Sequence, residues 1–228
     1  MGAAYLFAIN VLVFSKTEGY RHEAIPDGVR ALEAIADERG WRMDATEDSA
    51  VFRADNLASY DVIVFLMTTG DVLNGDQQAA LEKFVGSSKG FVGIHSASDT
   101  EHDWPWYREL VGAYFKSHPG IQPASYVVER RDHPATRMLP ETWVRTDEHY
   151  TFDGNPRGRV EVLVSLDETS YGVEEHAMGD HPVVWHHRNL GGRAFYTALG
   201  HTSESYQDPL FRAHIAGAIA WAASSQED

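Results

Sequence analysis

There is no cysteine anywhere in the 228 residues. That absence excludes disulfides, thiolate metal sites and a cysteine nucleophile together, and it leaves the redox compartment open. Basic residues are also scarce: 19 against 34 acidic ones give a formal net charge of −15. Such a chain repels phosphate backbones and anionic bilayers, so nucleic acid and membrane are poor partners. A neutral or cationic small molecule, or a metal ion, suits it better. No run of 18 apolar residues exists to span a bilayer, and a soluble protein is expected. The apolar opening Met1–Val13 lacks a basic leader and a small-residue cleavage site, so it reads as a first strand and not a signal peptide. The cytoplasm is favoured on that ground, with an extracytoplasmic location left open. Repeats, low-complexity tracts and long linkers are missing too, and a single domain over residues 1–228 is expected.

What is present is a 43% hydrophobic, 11% aromatic chain, enough for a sizeable core. Six Trp and ten Tyr cannot all be buried, and aromatics left over commonly line ligand pockets. The N-terminal half alternates strand and helix signals. Leu6–Phe14, Trp41–Thr46, Tyr60–Met67 and Gly90–Ile94 read as strands, the continuous apolar runs among them as strands buried on both faces. Glu23–Arg39 carries Ile25, Val29, Leu32 and Ile35 at helical spacing and stops at Gly40. Asp76–Val85 is a second amphipathic helix. The second half predicts short strands at Ser125–Glu129, Trp143–Arg145, Val160–Leu166, Val183–Trp185 and Arg193–Leu199, then a closing helix over Gln207–Ala223. The fold class that follows is α/β: a mostly parallel sheet with helices on both faces and some antiparallel strands near the end. Ligands of such sheets bind at the carboxyl ends of the strands. The loops after Phe14, Met67 and Ile94 should therefore share one edge, and they are rich in hydroxyls, histidines and carboxylates.

Two constellations carry chemistry. In Gly93-Ile94-His95-Ser96-Ala97 a strand enters, a polar residue takes the turn and small residues follow, the shape of a nucleophile elbow above a helix N-terminus. An imidazole there serves as base, donor or metal ligand, or simply caps a helix. Ser96 is not read as a nucleophile, because the second glycine of G-x-S-x-G is missing. In Leu199-Gly200-His201-Thr202-Ser203-Glu204 a histidine and a glutamate follow a late strand. Class I glutamine amidotransferases place a histidine and glutamate in this way behind a cysteine elbow; here the cysteine is replaced by His95. No G-x-G-x-x-G follows the first strand, which argues against a nicotinamide dehydrogenase.

The longer stretches GFVGIHSASDTEHDWPWYRELVGAYFKSHP (Gly90–Pro119), RDHPATRMLP from Arg131, TDEHY from Thr146, MGDHPVVWHH from Met178 and GGRAFYTALGHTSESYQDP from Gly191, with Ser15-Lys16-Thr17 and Tyr20-Arg21-His22, resemble the trehalose-utilisation (ThuA-like) family over nearly the whole chain. The resemblance implies a flavodoxin-like, glutamine amidotransferase-like fold and a place in disaccharide or glycoside metabolism, often beside oxidoreductases that make 3-keto sugars. His149 departs from the aromatic residue expected after the acidic pair Asp147-Glu148.

The expected catalytic residues are His95, His201, Glu148 and Glu204. The expected substrate-binding residues are Lys16, Arg21, His22, His118, His181 and Tyr206. His133 is expected to be solvated, and Trp104, Trp106 and Tyr107 to pack under the elbow. Two mechanisms fit these residue types. His95, His201 and Glu148 bind a divalent metal such as zinc with a position left for water or substrate. Alternatively, with no metal, His95 or His201 abstracts a proton beside a keto group, Glu148 or Glu204 returns it, and Arg21 or Lys16 steadies the enolate oxygen. The function expected is an enzyme acting on a disaccharide or 3-keto glycoside as isomerase, lyase or hydrolase, and not a glutaminase. The alternatives are a carbohydrate-binding module and an oxidoreductase-associated subunit. The expected partners are a small carbohydrate and either further copies of the chain or a sugar oxidoreductase.

Overall fold

The computed structural model describes residues 8–224, so Met1–Phe7, including the start of the expected first strand, lie outside the described residues. The elements run β1 (Asn10–Phe14), α1 (Ile25–Arg39), β2 (Arg42–Thr46), α2 (Ala54–Leu57), β3 (Val62–Leu66), α3 (Gly75–Gly86), β4 (Gly90–Ile94), α4 (Pro105–Val111), β5 (Phe115–Ser117), β6 (Gln122–Val128), β7 (Thr142–Asp147), β8 (Thr151–Phe152), β9 (Glu161–Leu166), β10 (Pro182–His187), β11 (Arg193–Thr197) and α5 (Pro209–Ala222). Nine strands form one sheet in the order β2-β1-β3-β4-β11-β10-β9-β6-β7, and β5 pairs with β8 separately. Strands β2, β1, β3, β4 and β11 are parallel, the strand order of a flavodoxin-type sheet. Strands β10, β9, β6 and β7 continue it antiparallel.

The sequence pattern explains the split. Val62–Leu66 is buried at every position because helices cover both faces. On one face Gly28 of α1 lies against the Leu66 side chain, and Gly90 lies against Ala222 of α5. On the other, Tyr107 of α4 packs on Phe65 and Phe91. In β7 burial alternates instead: Trp143, Arg145 and Asp147 point in while Thr142, Val144 and Thr146 face out. Helix α1 ends where Gly40 enters the left-handed region at φ 68° and donates its N–H back to Ala36 and Asp37.

Two expectations are corrected. His133 is not solvated: it is 7% exposed and its ring stacks on His186 and Phe195, because the turn after Arg131 folds back over the sheet toward Trp221. Helix α4 and the short pair β5–β8 were not expected from the sequence at all. Among the described residues no helix is long and apolar enough to cross a membrane.

One buried histidine makes the fold acid-sensitive. His214 of α5 is fully buried, donates Nδ1–H to the Ala135 carbonyl at 2.8 Å, and leaves Nε2 without a hydrogen-bond partner. Burial first, and the charge of Arg145 second, depress its pKa to about 4, although the Ala135 bond opposes them. Between pH 6.5 and 4 the unfolded chain binds this proton and the folded chain does not. The stability is therefore complete above about pH 6.5 and is lost as the pH falls toward 4, on the order of 3 kcal/mol from this residue. Urea unfolding of the protein and of His214→Gln at pH 7.5 and 4.5 checks it: the variant should lose less stability between the two pH values.

Candidate functional site

Five strand ends and loops deliver the site. His22 stands between β1 and α1, where Ala24 begins the helix entry. Its loop is tied down: Glu18 and Gly19 donate N–H to the Thr69 carbonyl at 2.8 and 3.3 Å, and Thr69 Oγ1 donates to the Tyr20 carbonyl at 2.8 Å. Gly70, at φ 78°, allows that approach, since a Cβ there would meet the Gly19 nitrogen at 2.9 Å. His95 ends β4 at φ 54°, a left-handed backbone that costs a non-glycine residue on the order of 1–3 kcal/mol and is found where function fixes it. A short 3₁₀ turn, His95–Asp99, follows it, so the expected α-helix N-terminus beneath the elbow is absent; α4 begins only at Pro105. Tyr107 braces that turn by donating its hydroxyl to the Ala97 carbonyl, and Trp104 stacks on Trp106 beside it, as the packing role requires.

His201 follows β11. Its position is set by Asp147, which is fully buried and accepts the N–H groups of Gly200 at 2.9 Å, His201 at 3.0 Å and Glu148 at 3.0 Å. Gly200 sits at φ 108°, and a Cβ there would meet the Phe211 ring at 2.9 Å and the Tyr206 hydroxyl at 3.0 Å. Glu148 comes from the end of β7, the far edge of the sheet, and the chain's turn there swings it back over β4 and β11.

These side chains meet. His95 Nε2 lies 3.1 Å from His201 Nδ1 and 3.4 Å from Glu148 Oε2, and His201 Nδ1 lies 3.0 Å from the same oxygen. The His22 ring stands edge-on to both imidazoles at 4.8 and 5.0 Å. One ligand atom from each of His22, His95, Glu148 and His201 lies within 4.8 Å of the others. His95 Nδ1 is 2.8 Å from the Ala198 carbonyl, which can only accept, so Nδ1 carries the proton and Nε2 offers a lone pair to the cluster. Burial, reinforced by His95 and His201, pushes His22 down to about 3 and keeps it neutral. Burial disfavours the Glu148 carboxylate, yet the adjoining His201 and His95 imidazoles hold its pKa well below the usual range. Burial likewise opposes protonation of His201, but Glu148 and then Asp147 outweigh it and raise its pKa. Three imidazoles and one carboxylate are the donor set of a borderline divalent cation such as zinc. The spacings among His95, His201 and Glu148, 3.0–3.4 Å, are close to the edges of roughly 3.4 Å of a tetrahedron with ligands about 2.1 Å from its centre.

The second Glu148 oxygen, Oε1, faces His118 Nδ1 at 3.1 Å. His118 follows β5; its Nδ1 also lies 2.9 Å from the Pro119 carbonyl, so that nitrogen carries the proton. Nε2 is left as a lone pair on a side chain 40% exposed. The cleft above the cluster is about 280 Å³ and is lined by Tyr20, His22, Asp99, Phe115, His118, Glu148, Tyr150 and His201. Two larger hollows, about 490 and 530 Å³, lie elsewhere and hold no such cluster.

The remaining expected residues lie outside the cleft. Glu204 is exposed on the 3₁₀ turn Ser203–Gln207 and borders a separate depression beside Val144 and Arg145. Tyr206 is buried and donates to the Gly200 carbonyl at 3.0 Å, supporting the His201 loop from behind. His181 is buried 2.8 Å from both Glu168 Oε1 and the Tyr150 carbonyl, where it braces the wall. Lys16 pairs with Glu18 at 2.9 Å, and Arg21 pairs with Glu47 at 2.7 Å, so neither cation faces the cluster. His149 points into the core, accepting from the Tyr126 hydroxyl or donating to it at 2.7 Å, and takes no part in the cleft. His22, expected among the substrate contacts, stands with its ring against His95 and His201 as part of the cluster. Sequence reasoning misses Tyr20, Asp99, Phe115 and Tyr150 as lining residues, and Asp147 as the group that positions His201. An acidic pair at a strand end was the one available signal for Asp147.

Comparison with known proteins agrees with this picture. The family profile described as ThuA, trehalose utilisation, matches residues 10–222. A ThuA-like protein from Bacteroides uniformis is similar at 25% identity, with a TM-score of 0.84 over 100% of this chain and 97% of that one. A ThuA-like protein from Parabacteroides merdae is 19% identical, with a TM-score of 0.79 over 97% of this chain and 93% of its own. A β-galactosidase from Bacillus circulans shares the fold at 16% identity and a TM-score of 0.57, over 93% of this chain and 31% of that one. No curated protein matches the sequence significantly. The matched span takes in every strand of the large sheet and all four members of the histidine–glutamate cluster, and the chain belongs to the ThuA family, with its association with carbohydrate metabolism.

Proposed function

We propose that the chain is an enzyme that enolises an oxidised sugar, a 3-keto glycoside, at a divalent-metal centre held by His22, His95, Glu148 and His201. The single observation that carries this reading is the buried cluster of three imidazoles and a carboxylate at the floor of an open cleft. When bound, a cation such as zinc would polarise a substrate carbonyl oxygen and favour negative charge on it. That contribution is needed here, because Lys16 and Arg21 are engaged in ion pairs away from the cleft.

The chain's own residues supply the proton chemistry. His118 Nε2 takes the proton from the carbon beside the keto group, and the C–H electron pair moves toward the carbonyl oxygen. Glu148 Oε1 and the Pro119 carbonyl hold His118 Nδ1–H and so fix the imidazole in the basic tautomer. In a 3-keto glycoside the glycosidic oxygen is β to the carbonyl, so the same electron pair can expel it, and the His118 proton returns to that leaving oxygen. If instead the proton is delivered to C3 and the C2 hydroxyl gives up its own proton, the carbonyl moves to C2 and the outcome is isomerisation. Ser96 is not placed as a nucleophile: it is buried and sits 3.3 Å from His22 Nδ1.

The test is hydrogen–deuterium exchange. Metal-loaded protein in deuterated water should exchange the C2 hydrogen of methyl 3-keto-α-glucopyranoside, followed by proton NMR, and a chelated sample should not. No exchange above the buffer rate with the metal bound would overturn the reading.

A further inference from the structure

The cleft is small for two sugar rings, and its mouth carries a large exposed aromatic. Tyr20 is 64% exposed, yet its backbone is tied to the neighbouring loop. Its carbonyl accepts Thr69 Oγ1 at 2.8 Å, Glu18 and Gly19 bond to Thr69, and Thr17 bridges Thr69 as well. Its ring stands edge-on to the ligand His22 at 4.9 Å with an interplanar angle of 85°. An aromatic held this firmly and left in water has a free surface prepared for a partner. Across the lining stands Phe115, stacked with His118 and against Tyr150, and Asp99 contributes a carboxylate. Apolar faces with hydroxyl acceptors between them are what a sugar ring, with C–H faces and an O–H rim, requires.

We infer that Tyr20 forms a second subsite: one ring of a two-unit glycoside occupies the cleft over the cluster, and the ring on the other side of the glycosidic bond lies on Tyr20. This rests on the function proposed above and names its substrate class as disaccharides, not simple alkyl glycosides. Tyr20 acts as a binding residue.

Calorimetry on the metal-loaded protein with two probes tests it, methyl 3-keto-α-glucopyranoside with one ring and 3-keto-trehalose with two. The protein should bind the two-ring probe about tenfold tighter. Tyr20→Ala should remove the preference for the two-ring probe over the one-ring probe, and Tyr20→Phe should keep it. Equal affinity of the two probes for the unaltered protein, or the same preference in Tyr20→Ala, would overturn the subsite and leave the enolising centre standing. Binding of neither probe would overturn both.

Discussion

Glu148→Gln should empty the metal centre and abolish exchange. Gln has the size of Glu but no charge, and it can offer the cluster only a neutral carbonyl or an amide donor. The three imidazoles then face one another without the carboxylate that lies 3.0 Å from His201 and 3.4 Å from His95. Ligand loss should exceed the roughly 10–100-fold affinity cost of changes one shell further out. Mass spectrometry of protein purified without a tag or chelator should read close to one zinc per chain for the parent and less than about a tenth of that for the variant. The melting temperature supplies an independent reading. Free zinc at a hundred times its dissociation constant should stabilise the parent by about 2.7 kcal/mol and the variant by nearly nothing. A metal-free parent that nonetheless exchanges substrate protons would remove the cation from the mechanism and return the base role to the histidines alone.

His118→Asn should separate the base from the metal. Asn can still donate to the Pro119 carbonyl and to Glu148, but it presents no basic nitrogen to the cleft. The side chain is 40% exposed and lies outside the cluster, so zinc content and melting temperature should stay at the parent values. The exchange rate should fall about 10²–10⁴-fold, the usual worth of a placed general base. Loss of zinc along with activity would make His118 a support for Glu148, not the base. Exchange at the parent rate would pass the proton transfer to another group.

Much of this molecule was legible in its residues. The continuous apolar runs at β1, β3 and β4 required burial on both faces, hence a parallel sheet with helices on each side, hence a site at the carboxyl edge. His95 was identified from glycine and small residues around a strand end, and His201 from the same signal after β11. These are local patterns, and local patterns are what hydrophobic period and turn chemistry encode.

Other features had no local signal. Strands β5 and β8 have three and two residues, too short for any period, yet β5 brings His118 to the cleft. Glu148 and Glu204 are both acidic residues near strand or loop ends, and sequence ranked them alike. The antiparallel extension places the first over the cluster, and the turn before α5 directs the second into solvent. His22, His118 and His181 are all expected from the sequence to contact substrate, with nothing local to tell them apart. One joins the histidine–glutamate cluster, one lines the cleft with Nε2 turned to it, and one is a buried brace, according to which groups each meets across the fold. The sequence by itself determined the sheet, the edge and the chemical inventory, because those follow from burial and period along the chain. Only the tertiary structure decided which groups converge, because ligand geometry depends on distances between residues more than fifty positions apart, set by strand order and packing that no local pattern records.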